Sequence, residues 1–391
     1  MVNIAVMGYG TVGSGVVEVI NTNSAVINQR AGDEINIKYV LDLRDFPGDP
    51  IQEKIIHDVD IIINDPEIKI VVEVMGGIEP AYTFVKRCLE AGKSVATSNK
   101  ALVAKHGAEL LSIARERELN FLFEASVGGG IPILRPLTAC LAANELDQIT
   151  GILNGTTNYI LTRMVRAGAT FADALREAQE KGYAEADPSA DIDGDDIRRK
   201  LTISANIAFD ALLREEDIPA FGIRTVTGAD VADFRAHGFT CKLLACAQRT
   251  ETGVAAYVEP ALVAEGEPEA AVPGNYNLIS CTGELLGRQS YFGQGAGRYP
   301  TAANVVQDCL DLLTGEDGFY TETARPMAVE ADAVAHPYYV RTQGADPWLK
   351  SVTADRWAGG VITGAVPVGQ MLRWAAAQRQ RDPGCFVAGI R

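Results

Sequence analysis

Short apolar runs alternate with helix-like stretches over the first hundred residues. Residues 3–7 form a buried-strand pattern that ends at glycines, and residues 11–29 carry apolar side chains at helical spacing. Further strands are predicted at 35–41, 60–63, 70–74, 94–97 and 120–124, and helices at 80–91 and 101–117. Strands separated by helices predict an α/β fold with a doubly wound, Rossmann-like parallel sheet, which we place in a first domain over residues 1–133.

The pattern changes after a glycine-rich segment at residues 126–132. Helices are predicted at 134–143, 158–180, 196–213 and 301–314, with strand-like segments near 254–262 and 275–282. This mixture predicts an α+β domain over residues 134–320, of which 301–320 are allowed to pack back on the first domain. Residues 321–391, with a strand at 338–340 and a helix at 368–378, are predicted to form a short C-terminal appendage.

The charge balance excludes some classes of partner. The 391 residues include 35 Lys and Arg against 51 Asp and Glu, a net charge of −16, so we expect no binding to nucleic acid or to an anionic membrane surface. Seven scattered cysteines without a C-x-x-C pair indicate free thiols in a reducing compartment. With no basic leader and no long apolar run, the chain is expected to be cytoplasmic.

The first predicted strand runs directly into a G-x-G-x-x-G motif. Gly8 permits a tight turn, Gly10 lets the backbone approach a pyrophosphate, and Gly13 permits close packing of helix on strand. Thr11 and Val12 open the helix, whose free N–H groups face the phosphates. In this context the motif predicts dinucleotide binding, whereas alone it indicates only a tight turn.

Two residues after the second strand bear on the choice of dinucleotide. Asp42 is placed to accept hydrogen bonds from a ribose 2′-hydroxyl, which favours NAD, whereas Arg44 can pair with the 2′-phosphate of NADP. The sequence therefore predicts NAD or NADP and leaves the preference open.

The segment 183–200 combines an acidic loop with the start of an apolar helix. Asp196 and Lys200 are four residues apart and share a helix face, and the residues after Lys200 follow a buried pattern. An amine that loses solvation can act as an acid or base near neutral pH, although most pairs at this spacing only support their helix. Both interpretations remain open on these residues alone.

Residues 182–200 closely resemble the signature of the homoserine dehydrogenase family. Four further segments are similar to that family: the glycine loop at 8–15, Thr-Ser-Asn-Lys at 97–100, Gly-Ile-Leu-Asn-Gly-Thr-Thr-Asn at 151–158, and Gly-Ala-Gly at 295–297 followed by Pro-Thr at 300–301. The resemblance extends over about residues 1–320. It implies reversible, NAD(P)-dependent hydride transfer between L-homoserine and L-aspartate 4-semialdehyde, in the biosynthesis of threonine and methionine.

The resemblance also implies roles for individual residues. Lys200 would be the acid/base at the substrate oxygen, supported by Asp196, and Lys100 would be a second lysine beside cofactor and substrate, or an ordinary residue of a helix start. The remaining substrate contacts would be Glu185 and Asp191 at the ammonium group and Thr156. Thr97, Lys100 and Gly297 would join the glycine loop in contacting the cofactor.

A monovalent cation and a dimer interface follow from the same resemblance. The family holds a structural sodium ion largely through backbone carbonyls, and the matching positions here are Glu124, Val127, Gly129 and Ile131. The α+β domain would also form the interface of a homodimer or homotetramer. About 60 residues follow the catalytic part, which indicates a truncated form of the family's regulatory ACT module and makes feedback control by threonine doubtful.

Two other functions remain as alternatives. One is a dehydrogenase that forms a thiohemiacetal on a cysteine, which needs a thiol paired with a histidine. The other is a sensor that binds a dinucleotide without turnover, against which the joint presence of Lys100, Glu185 and Lys200 counts.

Overall fold

The computed structural model describes residues 1–141, 143–315, 318–319, 324–344 and 346–391. The chain forms two compact units, Met1–Ala142 with Gln294–Ala324, and Ala143–Gly293 with Arg325–Arg391. Residues 301–315 thus belong to the first unit. The boundaries predicted from the sequence fall elsewhere, after residues 133 and 320, and the second of these lies outside the described residues.

The strands are β1 (Val2–Met7), β2 (Ile35–Leu41), β3 (Ile55–Ile56), β4 (Ile68–Glu73), β5 (Ser94–Thr97), β6 (Phe121–Leu122), β7 (Gln148–Ile152), β8 (Phe239–Arg249), β9 (Gly253–Ala264), β10 (Tyr276–Gly283), β11 (Gly287–Gln294), β12 (Ala328–Val329), β13 (Ala335–His336), β14 (Tyr338–Arg341), β15 (Thr353–Arg356), β16 (Val361–Thr363), β17 (Val366–Pro367) and β18 (Phe386–Ile390).

The α-helices are α1 (Thr11–Thr22), α2 (Ser24–Ala31), α3 (Val59–Asn64), α4 (Ala81–Glu90), α5 (Lys100–Glu116), α6 (Ala125–Gly128), α7 (Gly155–Ala167), α8 (Phe171–Glu180), α9 (Ser189–Ile192), α10 (Asp195–Phe209), α11 (Gly228–Ala236), α12 (Pro268–Ala271), α13 (Arg298–Thr314), α14 (Pro347–Val352) and α15 (Val368–Arg379).

The first unit contains a six-stranded parallel sheet in the order β3-β2-β1-β4-β5-β6. This is the order of a doubly wound dinucleotide-binding fold, so the α/β prediction is confirmed. Helices α1 and α13 pack on one another against the sheet, and their apolar side chains join those of β1 and β4 in one core. The strand order reverses between β1 and β4, and ligands of such sheets bind beyond the carboxyl ends of the strands at that point.

The second unit contains a ten-stranded mixed sheet. Nine strands follow the order β11-β10-β7-β8-β9-β18-β14-β16-β15, and β12 pairs with β9 as a branch. Strands β8 and β9 form a long antiparallel pair whose residues are almost all buried. Because both faces are covered, β8 has no apolar–polar alternation, and the sequence pattern did not predict it.

The C-terminal part of the second unit has a recognisable topology of its own. In chain order it runs β14-α14-β15-β16-β17-α15-β18, in which the short β17 pairs with β13 outside the sheet, and in space the other strands are ordered β18-β14-β16-β15. This is a complete β-α-β-β-α-β arrangement. The expectation that the segment is too short for such a unit is wrong, because α14 is reduced to 6 residues while all six elements are kept. Strand β18 also pairs in parallel with β9 and so continues the larger sheet.

Two other predictions of local structure are wrong for physical reasons. Residues 60–63, read as a strand, lie in α3, where Asp58 accepts a bond from the N–H of Asp60 and so caps the helix. The continuous helix predicted over 158–180 is two helices, because Gly168 adopts a left-handed φ of 63° after α7 and Thr170 caps α8.

In the described part of the chain, every helix is too short or too polar to cross a lipid bilayer.

Candidate functional site

The glycine motif forms the turn between β1 and α1 in the first unit. Gly8 has φ +99°, a conformation that favours glycine. A Cβ atom on Gly13 would lie 1.9 Å from the carbonyl oxygen of Gly8, so the helix meets the turn at a distance that only glycine permits. Gly10 precedes the helix, and no atom lies within 4 Å of where its Cβ would be. The first turn of α1, with Thr11 and Val12, therefore opens onto unfilled space and fits a dinucleotide pyrophosphate.

Asp42 and Arg44 form an ion pair directly after β2. Arg44 donates to both carboxylate oxygens of Asp42, from Nε at 3.0 Å and from Nη2 at 3.1 Å. The backbone N–H of Tyr9, in the glycine turn, also donates to Asp42 at 2.8 Å. The Arg44 guanidinium is the main reason that the pKa of Asp42 lies far below its usual value. Both carboxylate oxygens are thus engaged, while the guanidinium remains largely exposed.

Three other predicted cofactor residues lie in the same unit. Thr97 ends β5 and is buried, Lys100 is the first residue of α5, and Gly297 precedes α13 with φ +128°. Thr97 and Lys100 therefore lie at the carboxyl edge of the parallel sheet, beside the end of β4. Their contact with a cofactor stays a prediction.

The second unit brings Lys200 together with Asp196 in the buried part of α10. Lys200 Nζ donates to Asp196 Oδ2 at 2.8 Å and to the backbone carbonyl of Leu153 at 2.7 Å. Both side chains are buried. Leu153 lies just beyond β7, so the lysine ties α10 to the end of that strand.

Asn154, which is not among the predicted site residues, links this pair to Asp191. We call these four residues, together with Thr156, the Lys200 cluster. Asn154 Nδ2 donates to Asp191 at 2.8 Å and to Asp196 at 2.9 Å, while its Oδ1 accepts from the N–H of Thr157 and caps α7. One amide therefore links two carboxylates and a helix start. The resemblance of residues 151–158 to the family could have pointed to Asn154 as a site residue. Its two carboxylate partners, however, lie 37 and 42 residues away in the sequence.

Asp191 and Thr156 also belong to the cluster. Burial is the main cause of a raised pKa for Asp191, and the nearby charge of Asp196 raises it further. The hydrogen bond from Asn154 acts in the opposite direction. Thr156 Oγ1 lies 2.6 Å from the carbonyl of Tyr183, which ties the following acidic loop to α7. The charge of Lys200, which pairs with Asp196, also lowers the pKa of Asp191.

Glu185 lies apart from these side chains. It is exposed on the loop after α8, where its backbone carbonyl accepts a bond from Gln179 at 3.0 Å. Within the described residues, no hydrogen bond joins the Glu185 carboxylate to the cluster. Its predicted contact with a substrate ammonium group stays a prediction.

The predicted cation loop is held by its own hydrogen bonds. The Glu124 carboxylate accepts from the three consecutive backbone N–H groups of residues 133–135, at 2.6 to 2.8 Å. The Gly129 carbonyl accepts from Asn304 at 2.7 Å. No group of three or more His, Cys, Asp or Glu side chains among the described residues has the geometry of a metal site. A sodium ion would therefore depend on backbone carbonyls, and it stays a prediction at Glu124, Val127, Gly129 and Ile131.

The cysteines do not support catalysis through a thiol. Six of the seven are buried, and burial raises the pKa of each of these six thiols. A nucleophilic cysteine needs the opposite shift, because the thiolate is the reactive form. The seventh, Cys140, is exposed.

A glycine turn at the switch point of a doubly wound sheet, in a chain with a buried lysine–carboxylate pair, is typical of a dehydrogenase that uses a nicotinamide dinucleotide. Comparison with known proteins narrows this class. A family profile described as "Homoserine dehydrogenase, NAD binding domain" matches residues 8–124, and one described as "Homoserine dehydrogenase" matches residues 132–310.

Individual relatives agree with the profiles. The homoserine dehydrogenase of Mycobacterium tuberculosis (strain H37Rv) is 42% identical over 373 residues, which cover 91% of this chain and 84% of that protein. The crystal structure of a homoserine dehydrogenase from Thiobacillus denitrificans matches with a TM-score of 0.90 and 32% identity, covering 100% of this chain and 98% of that one. A hyperthermophilic archaeal homoserine dehydrogenase mutant in complex with NADPH matches with a TM-score of 0.67 and 27% identity, covering 81% and 98%. The chain belongs to the homoserine dehydrogenase family and is, as a member, an NAD(P)-dependent oxidoreductase.

Asn154 provides a test of the cluster in the second unit. Asn154→Ala removes a helix cap and two bonds to buried carboxylates, so urea unfolding should show a loss of roughly 2–4 kcal/mol. Thr170→Ala is the matched control, since Thr170 caps exposed helix α8 in the same way and should cost only about 1 kcal/mol. A loss in Asn154→Ala no greater than that in Thr170→Ala would contradict the bridging role.

Proposed function

We propose that the chain interconverts L-homoserine and L-aspartate 4-semialdehyde with NAD or NADP, and that Lys200 is the acid/base. The observation that carries the proposal is the hydrogen bonding of the Lys200 ammonium. An ammonium has three N–H donors. Two of them go to Asp196 and to the Leu153 carbonyl, and the third has no acceptor within the described residues. That donor is available to a substrate oxygen.

The chemistry divides between the cofactor and the protein. When bound, the nicotinamide cofactor accepts a hydride from the alcohol carbon or returns it to the aldehyde. The neutral amine of Lys200 takes the proton from the alcohol oxygen during oxidation, and its ammonium returns that proton during reduction. Asp196 holds the side chain in place through a hydrogen bond of 2.8 Å. The Leu153 carbonyl fixes a second N–H direction, so that the amine keeps one orientation in both steps.

The substrate's ammonium group is proposed to bind beside Asp191, with Glu185 on the adjoining loop. Asp191 and Asp196 share the Asn154 amide, and Asp196 also pairs with Lys200. Burial is the main cause of the raised pKa of Asp191, and a bound ammonium would offset the repulsion from Asp196 that raises it further. This favours an amino-acid substrate over a simple alcohol. Thr156, whose hydroxyl donates to the Tyr183 carbonyl, is proposed to hold the adjoining loop beside the substrate.

Lys100 is proposed to act with Lys200 on the same substrate. The family resemblance supports this proposal, because hydride transfer requires a lysine that binds the substrate to act close to the nicotinamide. A lysine at the start of α5 can bind the substrate carboxylate or the transferred oxygen. Its role as a catalytic group or a positioning group is open.

The reaction and the role of Lys200 are tested together by an assay of L-homoserine oxidation. The wild-type chain should reduce the nicotinamide in a homoserine-dependent way, and Lys200→Ala should lower kcat by about 10²- to 10⁴-fold, the usual contribution of a general acid/base. Lys181→Ala removes an exposed lysine and is the control that should keep wild-type kcat. Cofactor affinity, measured by fluorescence quenching, should stay the same in both variants.

The alternatives give different results in this assay. A dinucleotide sensor would bind the cofactor and show no turnover in the wild-type chain. A thiohemiacetal enzyme would lose its activity to a thiol-blocking reagent. Near-normal kcat in Lys200→Ala would overturn the assigned role.

The Asp42–Arg44 pair is proposed to set the cofactor preference. Arg44→Ala should lower kcat/KM with NADP by about 10- to 100-fold and leave NAD less affected, because a hydrogen bond to a charged group contributes about 1.5–3 kcal/mol. Asp42→Ala removes a negative charge near the 2′-phosphate and should shift the ratio towards NADP. The measurement is the NADP/NAD ratio of kcat/KM, with Arg30→Ala at an exposed helix end as the control. An unchanged ratio in both variants would contradict the assignment.

The raised pKa of Asp191 predicts the pH dependence of substrate affinity. Only the carboxylate form attracts the substrate ammonium, so KM for L-homoserine should rise as the pH falls through that raised pKa. The rise should begin at a higher pH than an ordinary aspartate with a pKa of 3.8 would give. Asp191→Asn should remove the inflection and raise KM at neutral pH. Asp187→Asn, at an exposed position whose pKa is lowered, is the control and should leave the profile unchanged.

The broader setting is proposed from the family. The reaction would serve threonine and methionine biosynthesis in the cytoplasm, with the chain as a homodimer or homotetramer. The net charge of −16 supports a small-molecule substrate over a nucleic-acid or membrane partner.

A further inference from the structure

Glu73 is a fully buried carboxylate in the first unit that the proposed mechanism does not use. It is the last residue of β4, next to Thr97 at the end of β5. These strands end at the carboxyl edge of the parallel sheet, where dinucleotide-binding folds place their ligands. A buried charge is costly unless it is fully hydrogen-bonded, so its retention at this edge calls for a specific role.

The groups around the Glu73 carboxylate are hydrogen-bond donors. The N–H of Met75 donates to Oε1 at 2.8 Å, and the hydroxyl of Thr97 lies 2.6 Å from Oε2. Burial raises the pKa of Glu73, and hydrogen bonding to the carboxylate opposes that rise. An acceptor-only side chain suits this environment, whereas an amide would direct its own NH₂ group at donors.

A chain of hydrogen bonds leads from Glu73 to the start of α5. The hydroxyl of Thr97 accepts from the N–H of Asn99 at 2.9 Å, and Asn99 Oδ1 accepts from the N–H of Leu102 at 3.1 Å. Asn99 is thereby the N-cap of α5, and Lys100 is that helix's first residue. Because the Thr97 hydroxyl donates its hydrogen to Glu73, its oxygen lone pairs are available to accept from the N–H of Asn99.

The same residues fix a glycine turn. Asn99 Nδ2 donates to the carbonyl of Gly77 at 2.5 Å, and Gly76 and Gly77 have φ +80° and +73°. The carboxylate therefore fixes both segments that leave the sheet edge at this point, the turn after β4 and the helix start after β5.

We propose that Glu73 is a positioning residue that acts through Thr97 and Asn99 to set the backbone and orientation of Lys100 for reaction. This inference rests on the proposed role of Lys100 in homoserine oxidation. In this proposal Glu73 contacts neither the substrate nor the acid/base group, and it determines the position of Lys100.

The first part of the test uses two substitutions that break the chain at different bonds. Glu73→Gln and Thr97→Val should each lower kcat by up to about 10²-fold, the usual effect of a small displacement of a reacting group, with a much smaller change in KM for L-homoserine. Thr97→Ser keeps the hydroxyl and should retain most of kcat. Glu90→Gln, an exposed carboxylate at the end of α4, is the control with wild-type kcat.

The second part is a double-mutant cycle with Lys100→Ala. If Glu73 acts through Lys100, Glu73→Gln should have almost no further effect on kcat in the Lys100→Ala background, whereas a general structural defect should multiply the two losses. NADPH affinity of the binary complex and thermal melting report binding and folding independently of turnover. Multiplied losses, or wild-type kcat in both Glu73→Gln and Thr97→Val, would overturn the proposal.

Failure of the proposed function would give a different result. Absence of homoserine turnover in the wild-type chain would reject the reaction itself. Wild-type kcat in Lys100→Ala would overturn the positioning role of Glu73 and leave homoserine oxidation, which is measured on the unmodified chain, in place.

Discussion

The buried ion pair between Lys200 and Asp196 is the interaction on which the candidate site depends. A buried pair contributes little to stability by itself, because desolvation offsets the attraction between the charges. Removing one partner is costly, however, since the other charge is then left buried without compensation. The pair is thus better explained by the requirement for an amine in a fixed position than by stability. Two further hydrogen bonds agree with this explanation. Lys200 donates to the Leu153 carbonyl, and the Asn154 amide donates to Asp196.

The two units meet different physical requirements. The first needs open space beside a helix start, and it obtains this with Gly10, while Gly13 lets the helix meet the turn. The second unit holds charged side chains away from water. The Asn154 amide donates a hydrogen bond to Asp191, and the Leu153 carbonyl accepts one from Lys200. In both units a buried carboxylate, Glu73 or Asp196, holds through short hydrogen bonds a segment that we propose takes part in the reaction. Rigid support of this kind keeps the reacting groups in place.

The sequence predicted those features whose residues lie close together along the chain. The glycine turn and the Asp196–Lys200 pair are short-range patterns, and the doubly wound sheet follows from alternation of strands and helices. Asn154 and Glu73 were missed because their partners are far away in the sequence. Strand β8 was missed because burial on both faces removes alternation, and α3 was read as a strand because three consecutive isoleucines hide a helical period.

Chemical rescue of Lys200→Ala tests the central claim most directly. If the amine of Lys200 moves the proton of the substrate alcohol, small primary amines added to the variant should restore homoserine oxidation in proportion to their concentration, and more basic amines of equal size should be more effective. Lys181→Ala should not respond to the same amines. A Lys200→Ala enzyme whose rate is unaffected by every amine, while it still binds NADPH and L-homoserine, would contradict the assignment of Lys200 as the acid/base.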